Sequence, residues 1–124
     1  MYLLDTNTVI DFCNSRLPHS AKQLLQSIHP NISVITQIEL FSTVHIPHSE
    51  KIQLEKFVEF STIFNSINDA IVQETITIRQ QHKIKLPDAI IAATAIVNGV
   101  TLVTRNTDDF KKIPNLLILN PYKM

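Results

Sequence analysis

Short apolar runs alternate with longer helical segments along the chain, and this alternation constrains the fold more than any other feature. The runs are continuously apolar and rich in aliphatic residues, which is typical of parallel strands covered on both faces. Strands separated by helices predict βαβ units. We therefore expect an α/β fold, a three-layer α/β/α sandwich with a short central parallel sheet of about five strands. The expected strands are Tyr2–Leu4, Ile32–Ile35, Ile63–Ile67, Val100–Thr104 and Leu116–Leu119.

Helical periodicity covers most of the remaining sequence. The expected helices are Thr6–Asn14, Ser20–Ile28, Thr36–Val44, one that begins at Pro47, Asp69–His82 and Pro87–Val97. Four apolar residues of the fifth helix are predicted to face the core, namely Ile71, Val72, Ile76 and Ile78. The sixth helix is apolar on nearly all sides, which predicts that it is buried.

The length and the apolar content predict a single domain spanning residues 1–124. The chain has 124 residues, of which 44% are hydrophobic, enough for one core and too few for two domains. It contains 11 basic and 11 acidic residues, so its net charge gives no overall attraction for nucleic acid. Contact with a nucleic acid would therefore depend on a local patch of positive charge.

Several kinds of site are excluded by what the sequence lacks. A single cysteine, Cys13, excludes an internal disulfide, and a single glycine, Gly99, excludes glycine-rich phosphate-binding loops. His45 and His48 have neither a thiolate nor a third ligand beside them, so no zinc site is expected. The sequence has no signal-peptide pattern and no apolar run long enough to span a membrane, so we expect a cytoplasmic protein.

Acidic residues follow the predicted strands. Asp5 comes directly after the first strand, and Glu39 lies one turn into the helix after the second. Asp88 lies in the first turn of the most apolar helix, and Asp108 and Asp109 follow the fourth strand. Ligands of an open parallel sheet bind at the carboxyl ends of its strands. We therefore expect topology to bring these acids to one edge of the sheet.

Each acid also has a purely structural explanation. Asp5 is suited to cap the first helix, Thr36 and Glu39 fit a capping box, and the other acids complement helix dipoles. These explanations do not account for the shared position of the acids. Two carboxylates about 4 Å apart repel by about 4 kcal/mol at an effective dielectric constant of about 20. A cluster of them therefore favours a bound cation, and hard oxygen ligands suit Mg²⁺ or Mn²⁺.

Four blocks of sequence resemble those of PIN-domain proteins and follow one another in the same order. They are Leu-Leu-Asp-Thr-Asn, Ser-Val-Ile-Thr-Gln-Ile-Glu-Leu, Leu-Pro-Asp-Ala-Ile-Ile-Ala-Ala-Thr-Ala and Leu-Val-Thr-Arg-Asn-Thr-Asp-Asp-Phe. The resemblance spans Met1 to about Leu119 and is closest to the VapC toxins of VapBC toxin–antitoxin pairs. One departure is visible, because many relatives carry a glycine where this chain reads Phe41-Ser42-Thr43.

The resemblance also implies roles for individual residues. The catalytic and metal-binding acids would be Asp5, Glu39, Asp88 and Asp109. The supporting polar residues would be Asn106, Thr104 and Asn7. If Thr107 caps a short helix, Asp108 and Asp109 are adjacent in that helix and point about 100° apart. The resemblance favours Asp109 for the site, because the recurrent acid directly precedes the aromatic residue.

The function implied by the resemblance is Mg²⁺- or Mn²⁺-dependent cleavage of RNA, often tRNA or ribosomal RNA, by metal-activated water. The chain would be the toxin of a type II toxin–antitoxin pair, a homodimer that binds a cognate antitoxin. Basic residues near the acidic blocks are candidates for RNA contacts, namely Lys83, Lys85, Arg105, Lys111 and Lys112. Ordinary solvated helix ends explain the same lysines equally well.

Three alternative functions are open to an α/β protein with these acids. A haloacid-dehalogenase-like phosphatase requires an acid two residues after Asp5, where this chain has Asn7. A receiver domain requires a cluster of acids before its first helix together with a lysine after its last strand, a pattern that we do not find in this chain. A PIN-fold module that binds RNA or protein without catalysis is the third alternative, and the retained acids argue against it.

Overall fold

Five short strands form one parallel sheet in the computed structural model, which describes residues 1–124. They are β1 (Tyr2–Leu4), β2 (Asn31–Ser33), β3 (Thr62–Phe64), β4 (Thr101–Val103) and β5 (Ile118–Leu119). The strand order is β3-β2-β1-β4-β5, and every neighbouring pair is parallel. Leu3 of β1 pairs with Leu102 of β4 on one side and with Asn31 of β2 on the other.

Seven α-helices and one 3₁₀ turn connect and follow the strands. The helices are α1 (Thr6–Cys13), α2 (His19–Ser27), α3 (Val34–Phe41), α4 (His48–Phe60), α5 (Asp69–Gln81), α6 (Leu86–Asn98) and α7 (Thr107–Phe110). The 3₁₀ turn covers Pro121–Lys123. Gly99 ends α6 in the left-handed conformation, with φ of 64°, as a glycine C-cap does.

The hydrophobic core has two parts, one on each face of the sheet. Leu3 and Leu102 pack with α5, α6 and α7 on one face, while Leu4 and Val103 pack with α1, α2 and α4 on the other. Successive strand residues therefore point to opposite layers, as the pleat requires. The predicted three-layer α/β/α sandwich is confirmed.

The chain changes direction across the sheet between β1 and β4. From β1 it proceeds to β2 and β3 on one side, and it then returns to place β4 and β5 on the other. This arrangement makes the boundary between β1 and β4 the topological switch point, where a crevice opens outside the carboxyl ends of the strands. The residues that follow these two strands, Asp5 and Thr104, are therefore neighbours.

Two predicted boundaries at the second strand are wrong for a single physical reason. The expected strand Ile32–Ile35 ends at Ser33, because Ser33 Oγ accepts the Thr36 N–H at 3.1 Å and caps α3. The helix thus begins at Val34, and Thr36 and Glu39 do not form a capping box. Local hydrogen bonding by serine outweighs the strand propensity of Val34 and Ile35.

The predicted inward face of α5 is half correct. Ile71 and Ile78 are buried, whereas Val72 and Ile76 are 39% and 44% exposed. The buried face runs through Ile71, Thr75 and Ile78, at the four- and three-residue spacing of one helix side. Apolar character alone could not show that a threonine occupies the inward position.

None of the helices is both long enough and apolar enough to cross a lipid bilayer.

Candidate metal centre

Asp5 lies at the switch point of the sheet and caps α1. Its backbone N–H donates to the Val103 carbonyl at 3.1 Å, which ties it to the end of β4. Its Oδ1 accepts the Thr8 N–H at 3.0 Å, and its Oδ2 accepts the Thr104 hydroxyl at 2.5 Å. Burial raises the pKa of Asp5, and the bonds from Thr104 and Thr8 oppose that rise. Asp5 is thus a helix cap and a buried carboxylate at the same time.

Glu39 reaches this edge of the sheet from the helix that follows β2. Its Oε1 accepts the Thr6 hydroxyl at 2.7 Å, and Thr6 Oγ1 lies 3.2 Å from Thr36 Oγ1. Thr6 is the first residue of α1 and Thr36 belongs to the first turn of α3. The two hydroxyls therefore connect the N-terminal ends of α1 and α3 and orient the Glu39 carboxylate.

Asp88 occupies the first turn of α6, as predicted, and is half-buried. Burial raises the pKa of Asp88, and the negative charges of Glu39, Asp5 and Asp109 raise it further. The positive charge of Lys85 acts in the opposite direction. Asp88 is therefore within electrostatic reach of all three other candidate acids.

The two acids of α7 have different surroundings. Asp109 Oδ2 accepts the Asn106 side-chain amide at 2.8 Å, and the Asn106 backbone N–H donates to Thr104 Oγ1 at 3.0 Å. Asp109 is thereby linked through Asn106 and Thr104 to Asp5. Asp108 instead accepts the Lys111 ammonium at 3.1 Å, and its side chain is 89% exposed.

The cap of α7 differs from the expected one. Asn106, not Thr107, is the N-cap residue, so Asp108 and Asp109 lie one position further into the helix than predicted. Asn106 donates to a carboxylate in α7 and makes no side-chain hydrogen bond to the helix backbone. Asp108 and Asp109 nevertheless contact different partners, as expected for adjacent residues that point about 100° apart in a helix.

The chemistry of these side chains fits a hard divalent cation. The donors are carboxylate and hydroxyl oxygens, and neither of the two ion pairs in the protein involves Asp5, Glu39, Asp88 or Asp109. The mutual repulsion that raises the pKa of Asp88 is therefore not offset by a direct basic partner. No three acidic, histidine or cysteine side chains converge closely enough in the structure to hold an ion by themselves. Mg²⁺ usually keeps several waters and is bound by only one or two carboxylates.

The remaining predicted site residues are distributed unevenly around the acids. Asn7 is exposed in the first turn of α1, and its side chain makes no hydrogen bond to another residue. Lys111 is paired with Asp108, and the Arg105 guanidinium carbon lies 4.9 Å from the centre of the Tyr122 ring. Lys83, Lys85 and Lys112 are exposed, and Lys83 and Lys85 line a surface cavity together with Asp109.

The family described as "PIN domain" matches residues 2–116, which is most of the chain. The chain belongs to the PIN-domain family. Among curated proteins, it is 30% identical to "Ribonuclease VapC1" of Rickettsia felis over 94% of this chain and 93% of that protein. It is 39% identical to "Ribonuclease VapC" of Rickettsia bellii over 62 residues, which are 50% of this chain but only 42% of that relative.

Chains from two solved toxin–antitoxin complexes are similar to this chain in both sequence and fold. The chain is 33% identical to a chain of a toxin–antitoxin complex from Klebsiella pneumoniae, with a TM-score of 0.79 and full coverage of both chains. It is 27% identical to a chain of VapBC2 from Rickettsia felis, solved with a promoter DNA fragment, with a TM-score of 0.79 and coverage of 96% and 97%. The predicted likeness to VapC proteins is confirmed, and the phosphatase and receiver alternatives are not favoured.

Several residues of this PIN-domain site escaped prediction from the sequence. Three of them are threonines that contact the acids or one another: Thr6 binds Glu39 and contacts Thr36, and Thr8 donates its backbone N–H to Asp5. The fourth is Ser33, which caps α3 and so fixes where that helix starts. Thr8 is buried, and its hydroxyl donates to the Val103 carbonyl at 3.1 Å. The sequence did carry a signal, because Thr6 and Thr8 lie within three residues of Asp5, at the start of a helix where hydroxyl side chains often satisfy unpaired backbone groups.

Proposed function

We propose that this PIN-domain protein is a divalent-metal-dependent endoribonuclease, the toxin of a type II toxin–antitoxin pair. The observation that carries the proposal is the arrangement of the four acids near the switch point, where hydrogen bonds hold three of them, and burial and the negative charges of these three raise the pKa of Asp88. Support also comes from the relatives named Ribonuclease VapC. We further propose that residues 1–124 form a single PIN-like domain that acts in the cytoplasm.

Asp5 and Asp88 would hold the ion, Mg²⁺ or Mn²⁺, and Glu39 and Asp109 would complete the site directly or through water. The ion would supply Lewis-acid activation of water and neutralise charge that develops on the phosphate. Thr104 and the Thr8 backbone fix both oxygens of Asp5, and Thr6 orients Glu39. The substrate would be RNA, with tRNA or ribosomal RNA as the expected class.

Cleavage of total RNA by the purified chain tests the proposal. We expect cleavage with Mg²⁺ or Mn²⁺ and none with EDTA. Glu39→Gln should reduce cleavage, whereas Glu59→Gln, the same change at an exposed position near the end of α4, should not. Absence of cleavage with either ion would instead favour a binding module that kept the PIN fold without its activity.

The proposed partners are a second copy of the chain and a cognate antitoxin. The related chains from Klebsiella pneumoniae and Rickettsia felis were solved within toxin–antitoxin complexes. We expect light scattering to give a dimer mass at high micromolar concentration, and a monomer there would reject self-association. Co-expression with a short neighbouring reading frame should yield a stable complex if that frame encodes the antitoxin.

A further inference from the structure

A basic groove runs along the end of α5 and the segment that leads into α6. One surface cavity of about 400 Å³ is lined by Arg79, Lys83, Ile84, Lys85 and Asp109. A second cavity of about 530 Å³ continues from it along α5, and the two share Arg79, Lys83 and Ile84. We call this continuous depression the α5–α6 groove. Its lining includes Asp109, which also belongs to the acid cluster, as we call the four acids Asp5, Glu39, Asp88 and Asp109.

The positive charge of this groove is free to meet an anion. Neither ion pair in the protein involves Arg79, Lys83 or Lys85. Asp109 is the only acid that lines either cavity. The protein as a whole has 11 basic and 11 acidic residues, so three unpaired cations beside one carboxylate are a local concentration of charge. A phosphodiester at the acid cluster meets several carboxylates, and nearby cations offset that repulsion.

Arg79 is held in place more firmly than the two lysines. Its Nε donates to the Ile84 carbonyl at 3.3 Å, across the turn between the helices. Neighbouring Thr75 and Ile78 are buried on the inner face of α5, so the backbone that carries Arg79 is anchored. The terminal nitrogens of its guanidinium have no protein partner, and their planar fork matches phosphate geometry.

A structural role for Arg79 is the competing explanation. A basic residue in the last turn of a helix complements the helix dipole, and the bond to Ile84 tightens the turn. That explanation predicts a loss of stability when Arg79 is changed, and no effect on RNA. It leaves unexplained why Lys83 and Lys85 line the same cavity as Asp109.

We propose that the α5–α6 groove binds the backbone phosphate of single-stranded RNA next to the phosphate that is cleaved, with Arg79 as the anchoring residue and Lys83 and Lys85 beside it. This inference rests on the proposed ribonuclease function and extends it, because it states the path of the substrate away from the acid cluster. Arg79 is a positioning residue in this account. It sets the register of the strand and takes no part in the cleavage step.

The test measures binding separately from cleavage. A fluorescein-labelled 12-nucleotide oligouridylate is titrated in EDTA at several salt concentrations, and the slope of log affinity against log salt is determined. Each phosphate contact to a single strand contributes about 0.7 to that slope. The double variant Arg79→Gln/Lys83→Gln should lower the slope by about 1.4, which corresponds to about tenfold weaker binding at 0.15 M salt. Lys51→Gln/Lys56→Gln, an equal loss of charge on exposed positions of α4, should leave it unchanged.

The conservative variant Arg79→Lys separates the two explanations. It keeps the charge but loses the bond to Ile84, so it should melt at a lower temperature and retain the salt slope. A slope that falls equally in the groove and α4 variants would overturn the proposal, as would a wild type that does not bind the oligonucleotide at 50 mM salt. Displacement of the RNA by polyglutamate as readily as by unlabelled RNA would overturn the assignment to a nucleic acid.

The outcome also distinguishes this inference from the proposed function. If the slope falls in the groove variant but no metal supports cleavage, the groove stands and the ribonuclease function fails. If cleavage is metal-dependent but the groove variant binds with the wild-type slope, the function stands and the groove is refuted.

Discussion

Removal of the Thr104 hydroxyl should disturb both the stability and the chemistry of the acid cluster. Thr104 is fully buried, donates to Asp5 Oδ2 at 2.5 Å and accepts the Asn106 N–H at 3.0 Å. Thr104→Val keeps the shape of the side chain and deletes both bonds. A hydrogen bond to a charged group contributes about 1.5–3 kcal/mol and a neutral one about 1 kcal/mol. We therefore expect a loss of about 3 kcal/mol at pH 8 without metal.

This loss converts into a melting shift through the entropy of unfolding. At about 2.1 cal/mol/K per residue, a chain of 124 residues has an unfolding entropy of about 0.26 kcal/mol/K. A loss of about 3 kcal/mol then lowers Tm by about 12 °C. Thr104→Ser keeps both hydrogen bonds and loses one buried methyl group, so it should recover most of the difference.

The same variant should shift the pH dependence in a defined direction. Burial raises the pKa of Asp5, and the Thr104 bond counteracts this because it favours the ionised carboxylate. Thr104→Val therefore raises the pKa of Asp5 further. If cleavage requires an ionised Asp5, the variant should lose activity at a higher pH than the wild type as the pH is lowered. The Tm deficit should also grow between pH 4 and pH 8, because the lost bond is strongest to the charged form.

Melting by circular dichroism in EDTA at both pH values, together with the pH profile of cleavage, checks this reasoning. A Thr104→Val protein that melts within 2 °C of the wild type at pH 8, with an unchanged pH profile, would refute it. If Thr104→Ser were as damaging as Thr104→Val, packing of the methyl group and not the hydroxyl would be responsible.

Three further predictions concern individual acids and the metal. Asp109→Asn should reduce RNA cleavage much more than Asp108→Asn, because Asp108 is exposed and paired with Lys111; the reverse ranking of cleavage rates would exchange their roles. Millimolar Mg²⁺ or Mn²⁺ should stabilise the protein relative to EDTA, by about 2.7 kcal/mol when the ion is at 100 times its Kd, and so raise Tm. The rise in Tm should be smaller in Asp88→Asn, and equal rises in both proteins would exclude Asp88 as a ligand. Because the pKa of Asp88 is raised in the folded state, its carboxyl holds a proton more tightly in the native protein than in the unfolded chain. The contribution of Asp88 to stability in EDTA is therefore lost as the pH rises from its pKa in the unfolded chain through its pKa in the folded protein. The Tm of Asp88→Asn relative to wild type should therefore be higher at pH 8 than at pH 4, and a pH-independent difference would contradict this.

The arrangement of the layers could be predicted from the sequence because its signals are local. Continuous apolar runs such as Thr101–Val103 and the apolar segment of α6 are typical of parallel strands and of a buried helix, and the structure contains both. The end of β2 could not be predicted in this way. Val34 and Ile35 have high strand propensity, and only the hydrogen bond from the Thr36 N–H to Ser33 turns the chain into α3.

The acids could be located from their position after strand ends, but the hydroxyls that orient them could not. Thr6 contacts Glu39 across 33 residues of sequence, and Thr104 contacts Asp5 across 99. No periodic pattern carries information about contacts at that separation. The groove cations illustrate the same limit, because Arg79 reaches the vicinity of Asp109 only through the packing of α5 against α6.

The cleavage rate of one RNA as a function of Mn²⁺ concentration, under single-turnover conditions, tests the central claim most directly. Wild type and Asp5→Asn are compared, with melting curves to verify that both are folded. We predict saturable activation of the wild type by Mn²⁺, no cleavage in EDTA, and a rate at least about 100-fold lower for Asp5→Asn at every Mn²⁺ concentration. A folded Asp5→Asn protein that cleaves at the wild-type rate, or a wild type equally active in EDTA, would contradict the assignment of the acid cluster as a catalytic metal centre.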